Sequence, residues 1–223
     1  MRRGLVLAAF ALAAGARADE PLHYVGDLGL GVERTQASAP GASARTWALP
    51  YAYGDYGNLF VREDTFGVKT VPIGWGALEI VGRVSTEGTD ADGPGFAHRT
   101  NPRPLGLGTF QETPWGGVFV DAFVDTVSGG SLLEASYAAE VPVGPLTLYP
   151  QAGVTRRSAR YDAHLYDVHA ASTTPVLQLS GELPFADAWV LLAHMQWEPL
   201  DDAVRASARS RTSALVALAW RFK

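Results

Sequence analysis

The stretch Val118-Phe119-Val120-Asp121-Ala122-Phe123-Val124-Asp125 carries the signal that decides the fold. Small and branched apolar residues occupy every second position, and two aspartates lie among the positions between them. Successive side chains of a β-strand point to opposite faces of a sheet, so this period of two predicts a strand with one apolar face and one charged face. Segments 133–141 and 187–198 show the same period, which indicates an all-β chain.

Working outward, we find the same alternation in segments that are separated by breaks rich in glycine, proline and aspartate. Most segments reach the length that a tilted strand needs to cross a bilayer, about 9–11 residues. Even strand numbers are typical of bacterial barrels, so we predict a transmembrane antiparallel up-and-down β-barrel of about 12 strands, with roughly 10 as the alternative. The predicted strands are 24–33, 46–54, 58–70, 74–86, 105–113, 115–126, 130–142, 145–157, 163–170, 174–184, 187–198 and 212–222.

The chain is rich in apolar residues but contains no long apolar run. Hydrophobic residues make up 47% of the 223 residues, and no stretch after residue 18 is apolar over the length of a membrane-spanning helix. The other structure that pairs every backbone N–H and C=O inside a bilayer is a closed β-barrel. Aromatic residues near the predicted strand ends suit the interfacial girdles of such a barrel. A soluble lipocalin-like barrel also shows period two and is the alternative.

The first residues have the order of a secretory signal peptide. A cationic start precedes an apolar run, and Ala16-Arg17-Ala18 then offers small residues at both key positions of a cleavage site. We predict a signal peptide at 1–18 and a barrel at 19–223, located in the outer membrane of a Gram-negative cell. The part after the signal carries 15 basic and 23 acidic residues, and this acidic balance argues against nucleic acid as a partner.

The last predicted strand, 212–222, resembles the signal by which outer-membrane barrels are recognised for assembly. Val216, Leu218, Trp220 and Phe222 share one face, and Lys223 follows where a terminal phenylalanine is usual. We expect Trp220 and Phe222 to form this assembly signal. The barrel-assembly machinery is therefore a predicted partner, together with outer-membrane lipid and lipopolysaccharide.

A series of short motifs spans most of the chain after the predicted signal. The motifs are Leu49-Pro50-Tyr51 with Tyr53 and Tyr56, Leu59-Phe60-Val61-Arg62, Thr113-Pro114-Trp115-Gly116, Asp125 with Ser128-Gly129-Gly130, Glu134-Ala135-Ser136-Tyr137, Leu148-Tyr149-Pro150-Gln151-Ala152-Gly153-Val154, Arg160-Tyr161, Leu165-Tyr166-Asp167-Val168 and Trp220-Arg221-Phe222. In this order the motifs resemble the MltA-interacting protein family, also called the MipA/OmpV family. Tyr-Asp-Val at 166–168 departs from the Tyr-Gly-Val that the family leads us to expect.

The resemblance implies an outer-membrane barrel and guides fold and location more than activity. One family member is linked to scaffolding between a murein-degrading transglycosylase and a murein synthase, and others behave as porins or adhesins. From the resemblance we expect a structural or scaffolding role, with these two murein enzymes as partners. A narrow cation-preferring porin or an adhesin is the alternative function.

The polar faces of the predicted strands place many carboxylates towards the lumen. A water-filled lumen with this lining favours cations. A plugged interior, in which arginines and carboxylates satisfy one another, is the favoured alternative because small barrels fill with side chains. The lumen-facing candidates are Asp27, Glu33, Glu79, Arg83, Asp121, Asp125, Glu134, Glu140, Arg157, Glu182 and Arg221.

No catalytic, cofactor or metal site is predicted. Asp162, His164, Asp167 and His169 resemble metal ligands, but on a strand they divide between two faces. An outer-membrane hydrolase is the distant alternative, and His164 or His194 with Ser158 or Ser136 could supply its base and nucleophile. Nothing in the spacing of these residues selects such a pair.

The segment 85–104 is rich in glycine, aspartate, threonine and proline, so it is predicted to be a loop. With the predicted strand count it falls on the periplasmic side, although bacterial barrels keep short turns there. Either the count is off by one strand, or the segment is a periplasmic feature. The resemblance favours the second explanation, with Asp90, Asp92, His98, Arg99 and Arg103 as contacts for a murein enzyme.

Overall fold

The computed structural model describes residues 22–37, 44–86, 100–200, 202 and 210–223. The predicted signal peptide at 1–18 lies outside this part of the chain. Thirteen strands and one helix make up the described residues. They are β1 (Tyr24–Ala37), β2 (Arg45–Tyr56), β3 (Leu59–Arg62), β4 (Thr65–Ile73), β5 (Gly76–Arg83), β6 (Pro104–Thr113), β7 (Gly116–Asp125), β8 (Ser131–Ala138), β9 (Val141–Val143), β10 (Leu146–Arg157), α1 (Ala159–Tyr166), β11 (Ser172–Pro184), β12 (Trp189–Pro199) and β13 (Ser210–Phe222).

The strands form one closed antiparallel ring. Apart from β8 and β9, successive strands pair with each other along the chain, and β1 pairs with β13 to close the ring. β8 and β9 act as one wall strand, because both pair with β10 in a single register, with Ala138 opposite Gln151 and Val141 opposite Leu148. The wall therefore has twelve strands, which confirms the predicted up-and-down barrel.

The prediction of a single strand at 58–70 is wrong, because this segment contains a tight hairpin. β3 and β4 meet at a turn formed by Glu63 and Asp64, and Glu63 adopts a left-handed φ of 55°. Two adjacent acidic residues in an alternating apolar stretch favour a turn, but the alternation on both sides conceals it. As a result β3 has only 4 residues.

The prediction of a strand at 163–170 is also wrong, because the chain forms α1 there. Tyr161 and Leu165 are four positions apart, so a helix places both on one face. Both are buried and pack against Phe123 and Leu132 of the barrel's inner wall. Ser158 stands at the N-cap, a position that serine favours, and Asp167 ends the helix with a left-handed φ of 60°. The helix thus folds inward at one rim of the barrel.

The missed hairpin adds one strand and the helix removes one, so the strand count stays at twelve. Every strand from β4 to β10 nevertheless runs opposite to its predicted direction. The long connections 38–44, 84–103, 158–171 and 200–209 all join strands at one end of the barrel. The turns of two to four residues, apart from the β3–β4 turn at Glu63 and Asp64, lie at the other end, together with both ends of the described chain. Since bacterial barrels keep long loops outside and short turns inside, we expect the connection from β5 to β6 to belong to the outer rim. Of the two explanations for 85–104, the fold therefore supports the first, a count that is off by one strand.

The outer surface of the barrel is apolar along its whole circumference. Its exposed side chains include leucines and valines on β1, β6, β7, β11, β12 and β13. Trp75, Trp115 and Phe185 lie exposed in the short turns, where rings suit a membrane interface. A surface of this kind needs lipid around it, which distinguishes the chain from a soluble barrel. The described helix is too short and too polar to cross a membrane.

Replacement of Val120 by arginine is expected to lower the free energy of unfolding by roughly 2–4 kcal/mol, the cost of a charge on the lipid face near the bilayer centre. Val120 is exposed at the middle of β7. Ser136→Arg is the control, because Ser136 faces the acidic lumen on β8. Urea unfolding in lipid vesicles measures both variants, and equal losses would contradict the assigned faces.

Candidate functional site: the barrel lumen

The lumen contains a cavity of about 990 Å³. Carboxylates outnumber arginines on its described lining by ten to four, which gives the lumen a strongly negative balance. The carboxylates are Asp27, Glu33, Glu63, Asp64, Glu112, Asp121, Glu134, Glu140, Glu182 and Glu198, and the arginines are Arg62, Arg83, Arg157 and Arg211.

Arg221 connects three strands at the periplasmic end of the lumen. Its Nε and Nη2 donate to the two carboxylate oxygens of Asp27 at 2.8 and 2.7 Å, and its Nη1 donates to Glu182 at 2.5 Å. Asp27 belongs to β1 and Arg221 to β13, so this bidentate pair fastens the seam at which the barrel closes.

A second bidentate pair joins Arg62 of β3 to Glu79 of β5. The two guanidinium nitrogens donate to Glu79 at 2.9 and 2.7 Å, and Glu79 is 2% exposed. The guanidinium also lies over the rings of Phe60 and Phe110, at 4.0 and 4.9 Å from their centroids. Glu79 does not line the main cavity but a smaller one of about 380 Å³, together with Arg62 and Phe110.

Arg83 of β5 and Asp121 of β7 both face the cavity. Arg83 binds Glu134 at 2.5 Å and approaches Asp64 at 3.5 Å. Asp121 faces the same space from β7, opposite Gly108 of β6. A Cβ at Gly108 would lie 2.0 Å from the Asp121 carboxylate, so this glycine gives the carboxylate room on the inner face.

Arg157 forms the most buried pair of the lumen. Its guanidinium binds Glu198 at 2.6 Å, and both side chains are almost fully enclosed. Thr174 accepts from Arg157 at 3.0 Å and donates to Glu198 at 2.9 Å, so it completes a small polar network across β10, β11 and β12. The lumen is thus partly filled by ion pairs and partly open, which places it between the two predicted alternatives.

Glu63, His194 and Ser180 meet halfway along the lumen. His194 Nδ1 lies 2.9 Å from Ser180 Oγ and 3.8 Å from Glu63 Oε2. The serine and the carboxylate approach the same ring nitrogen, whereas a nucleophile and an orienting acid need the two opposite nitrogens. This cluster does not have the geometry of a catalytic triad.

The serine–histidine pairs considered for a hydrolase are not formed. Ser136 accepts from Gln151, and Ser158 Oγ accepts from the backbone N–H of Ser131. His164 lies on α1 with Nε2 2.8 Å from the carbonyl oxygen of Thr100. Among the described residues no group of three or more side chains could hold a metal ion, and Asp162, His164, Asp167 and His169 do not converge.

One wall of the lumen is apolar. Tyr51 of β2 packs with Leu215, Ala217 and Ala219 of β13, and Leu49 and Leu192 lie against this cluster. Of these residues Leu49, Tyr51, Leu192 and Leu215 face the cavity, as does Trp47. In the ring order this wall lies across the lumen from β6 and β7, so it faces Asp121.

Asp125 shares the inner face of β7 with Phe123 but is not among the residues that line the cavity. Its carboxylate is fully buried at the outer rim and accepts from the backbone N–H groups of Arg103, Val127 and Ser128 at 2.6, 3.2 and 2.7 Å. Asp125 therefore holds the turn after β7 and anchors the end of the long connection before β6. Asp90, Asp92, His98 and Arg99 of the predicted contact loop lie outside the described residues, and Arg103 lies at this rim.

Alternation alone does not find several of the residues that line the lumen. Arg62, Glu63 and Asp64 were hidden by the wrong strand at 58–70, and Glu198 lies at a strand end. The sequence analysis did not single out the apolar wall formed by Leu49, Tyr51, Leu192 and Leu215. The doubled acidic residue at 63–64 is the signal that could have revealed the hairpin.

The chain is similar to solved structures and matches the model of one protein family. In the solved structures, the chain is similar to OmpTdeltaL8, a loop L8 deletion mutant of the Vibrio cholerae outer membrane protein OmpT, with a TM-score of 0.38 and 8% identity over 91% of this chain and 99% of that one. Similarity to in-vitro folded OmpT of Vibrio cholerae has a TM-score of 0.37 and 7% identity over 90% and 97% of the two chains. No curated protein matches the sequence. The family model described as MltA-interacting protein MipA matches residues 28–222, and the chain therefore belongs to the MipA family.

Proposed function

We propose that this outer-membrane β-barrel admits small cations into its lumen and acts as a narrow cation-preferring pore. The cavity lining holds ten carboxylates but only four arginines, and this acidic excess carries the proposal. In a lumen with low-dielectric walls, an excess of one sign of charge concentrates counter-ions.

The distribution of the ion pairs supports passage along one side of the lumen. Arg221, Arg62 and Arg157 are each held by carboxylates at 2.5 to 2.9 Å, so they neutralise only their own partners. Glu33, Asp121 and Glu140 face the cavity and form no salt bridge within the described residues. These three carboxylates would provide successive weak sites for a cation, as conduction requires.

The purified barrel in planar bilayers is expected to show stepwise openings that favour potassium over chloride. Asp121→Asn should reduce the cation preference by roughly two- to fivefold, the effect of one unit charge at about 4–8 Å in water. Asp187→Asn, in the exposed turn 185–188, is the matched control and should leave the preference unchanged. Silent bilayers, or anion-preferring openings, would refute the pore.

A scaffolding role is the second candidate, because the matched family model is described as MltA-interacting. Murein-remodelling enzymes act on the periplasmic side, where this barrel has short turns. Trp75 and Trp115 are 65% and 73% exposed in two of these turns, and tryptophan is enriched among residues that dominate binding energy. We propose these turns, and not the segment 85–104, as the surface for a murein transglycosylase and, through it, a murein synthase.

Loss of both indole rings in a Trp75→Ala, Trp115→Ala variant is expected to abolish capture of a periplasmic murein transglycosylase from detergent-solubilised envelopes. Trp197→Ala provides the control, because Trp197 is exposed on β12 near the opposite rim. Equal capture by all forms would remove the turns as the contact surface. This result is independent of the bilayer recordings.

A further inference from the structure

Among the residues that the structure describes, the barrel wall is incomplete beside β2. On its β1 side β2 is paired from residue 45 to residue 56, but on its other side its described partners pair only with residues 53–56. β3 is too short to continue, and the hairpin turn at Glu63 and Asp64 lies at the level of Ala52, whose carbonyl accepts from the Glu63 N–H at 3.0 Å. Residues 46–51 therefore form one edge of a notch in the wall.

The opposite edge of this notch is the chain that rises from β5. Val84 N–H donates to the Asp64 carbonyl at 2.8 Å, and residues 84–86 continue from there towards the outer rim. Two strand positions lie between β2 and this chain, so three inter-strand spacings separate the edges, about 14 Å. In the described residues the notch spans the positions of β3 and β4 above their turn.

The lumen cavity reaches this notch. Its lining includes Leu49, Pro50 and Tyr51 from one edge, Glu63 and Asp64 from the floor, and residues 84–86 from the other edge. The notch also adjoins the apolar wall, since Leu49 and Tyr51 belong to both. A path from the lipid-facing surface into the lumen therefore passes first over apolar side chains.

We propose that the notch is a lateral entrance through which a single-chain cationic amphiphile reaches a binding site on the apolar wall. The alkyl chain would lie against Leu49, Tyr51, Leu192 and Leu215, and the cationic group would face Glu33 and Glu63. Charge complementarity selects this occupant, because an anionic amphiphile would meet the acidic lining. The cavity volume of about 990 Å³ accommodates one such molecule. The proposal rests on the acidic lumen of the proposed function but needs no ion conduction.

Binding is tested with the barrel in lipid nanodiscs and two dansyl-labelled undecyl probes, one ending in an ammonium group and one in a carboxylate. The ammonium probe is expected to bind saturably with blue-shifted emission, and at least about tenfold more tightly than the carboxylate probe. Leu215→Lys and the milder Leu192→Gln should each weaken the ammonium probe, by about tenfold or more for the lysine. Glu63→Gln should reduce the ratio between the affinities of the ammonium and the carboxylate probe. Equal affinity for both probes, or unchanged binding by the folded variants, would overturn the site.

The route is tested by a bulky maleimide attached to a single introduced cysteine. Pro50→Cys places it at the edge of the notch, and Leu218→Cys is a control in the same cross-strand row, because Leu30 lies opposite both residues in the register. The label on Pro50→Cys is expected to slow probe entry by about tenfold, whereas the label on Leu218→Cys should not. Equal entry rates would overturn the lateral entrance. If both probe tests fail while cation-preferring openings persist, this inference is wrong and the proposed pore stands.

Discussion

A cysteine introduced at Asp92 is expected to react with a membrane-impermeant maleimide on intact cells. The native chain has no cysteine, so the label reports one position. The connection that contains residue 92 leaves the barrel after β5 and returns at β6, at the rim that carries the other long connections. This rim faces outward in bacterial barrels, so nearly complete labelling is expected without opening the outer membrane.

Ala186→Cys is the control for this experiment. Ala186 is exposed in the turn 185–188, which belongs to the opposite rim. It should be labelled only after the outer membrane is permeabilised. Protection of residue 92 together with labelling of residue 186 on intact cells would show the opposite orientation of the barrel, with the long connection in the periplasm.

Removal of Arg62 is expected to lower the free energy of unfolding by about 3–5 kcal/mol, the usual cost of leaving a buried charge without its partner. Glu79 is 2% exposed and receives two hydrogen bonds from Arg62. The Arg62→Leu variant also loses the contacts of the guanidinium with Phe60 and Phe110. Urea unfolding in lipid vesicles, followed by tryptophan fluorescence, measures the loss.

The double variant Arg62→Leu, Glu79→Leu should recover most of this stability, because no charge then remains buried. Lys69→Met is a further control. Lys69 and Asp55 form a pair whose side chains are 31% and 46% exposed, and exposed pairs contribute about 0–1 kcal/mol. A cost for Arg62→Leu no larger than that for Lys69→Met would show that Glu79 is solvated or protonated in the barrel.

The period of two was sufficient to predict the barrel, because an outer face in lipid tolerates few exceptions to alternation. It was insufficient at 63–64 and at 159–166. In the first case the hairpin reverses the chain without changing which face is apolar. In the second case eight residues of mixed polarity satisfy a strand as well as a helix, and packing of Tyr161 and Leu165 against the inner wall decides for the helix.

The sequence predicts that the lumen is acidic, but it does not predict which of its side chains lie together. Alternation assigns Asp27, Glu134 and Arg221 to the inside, yet which charges pair depends on the stagger between distant strands. The contact between Glu63 and His194 joins a hairpin turn to β12, and nothing in the local sequence encodes it. The notch beside β2 follows from the length of β3, which only the hairpin reveals.

The seam between β1 and β13 has a consequence for the order of biogenesis. Other neighbouring wall strands are successive in the chain, whereas the bond from Arg221 to Asp27 spans 194 residues. Each doubling of a closed loop costs about 0.6 kcal/mol of chain entropy, so this closure is roughly 3 kcal/mol less favourable than closing a short hairpin. The nascent polypeptide can pair its hairpins one after another. It stays an open sheet with two unpaired edge strands until β13 is complete. A chain that ends a few residues early would lose Arg221 and be left as a substrate for proteolysis or aggregation.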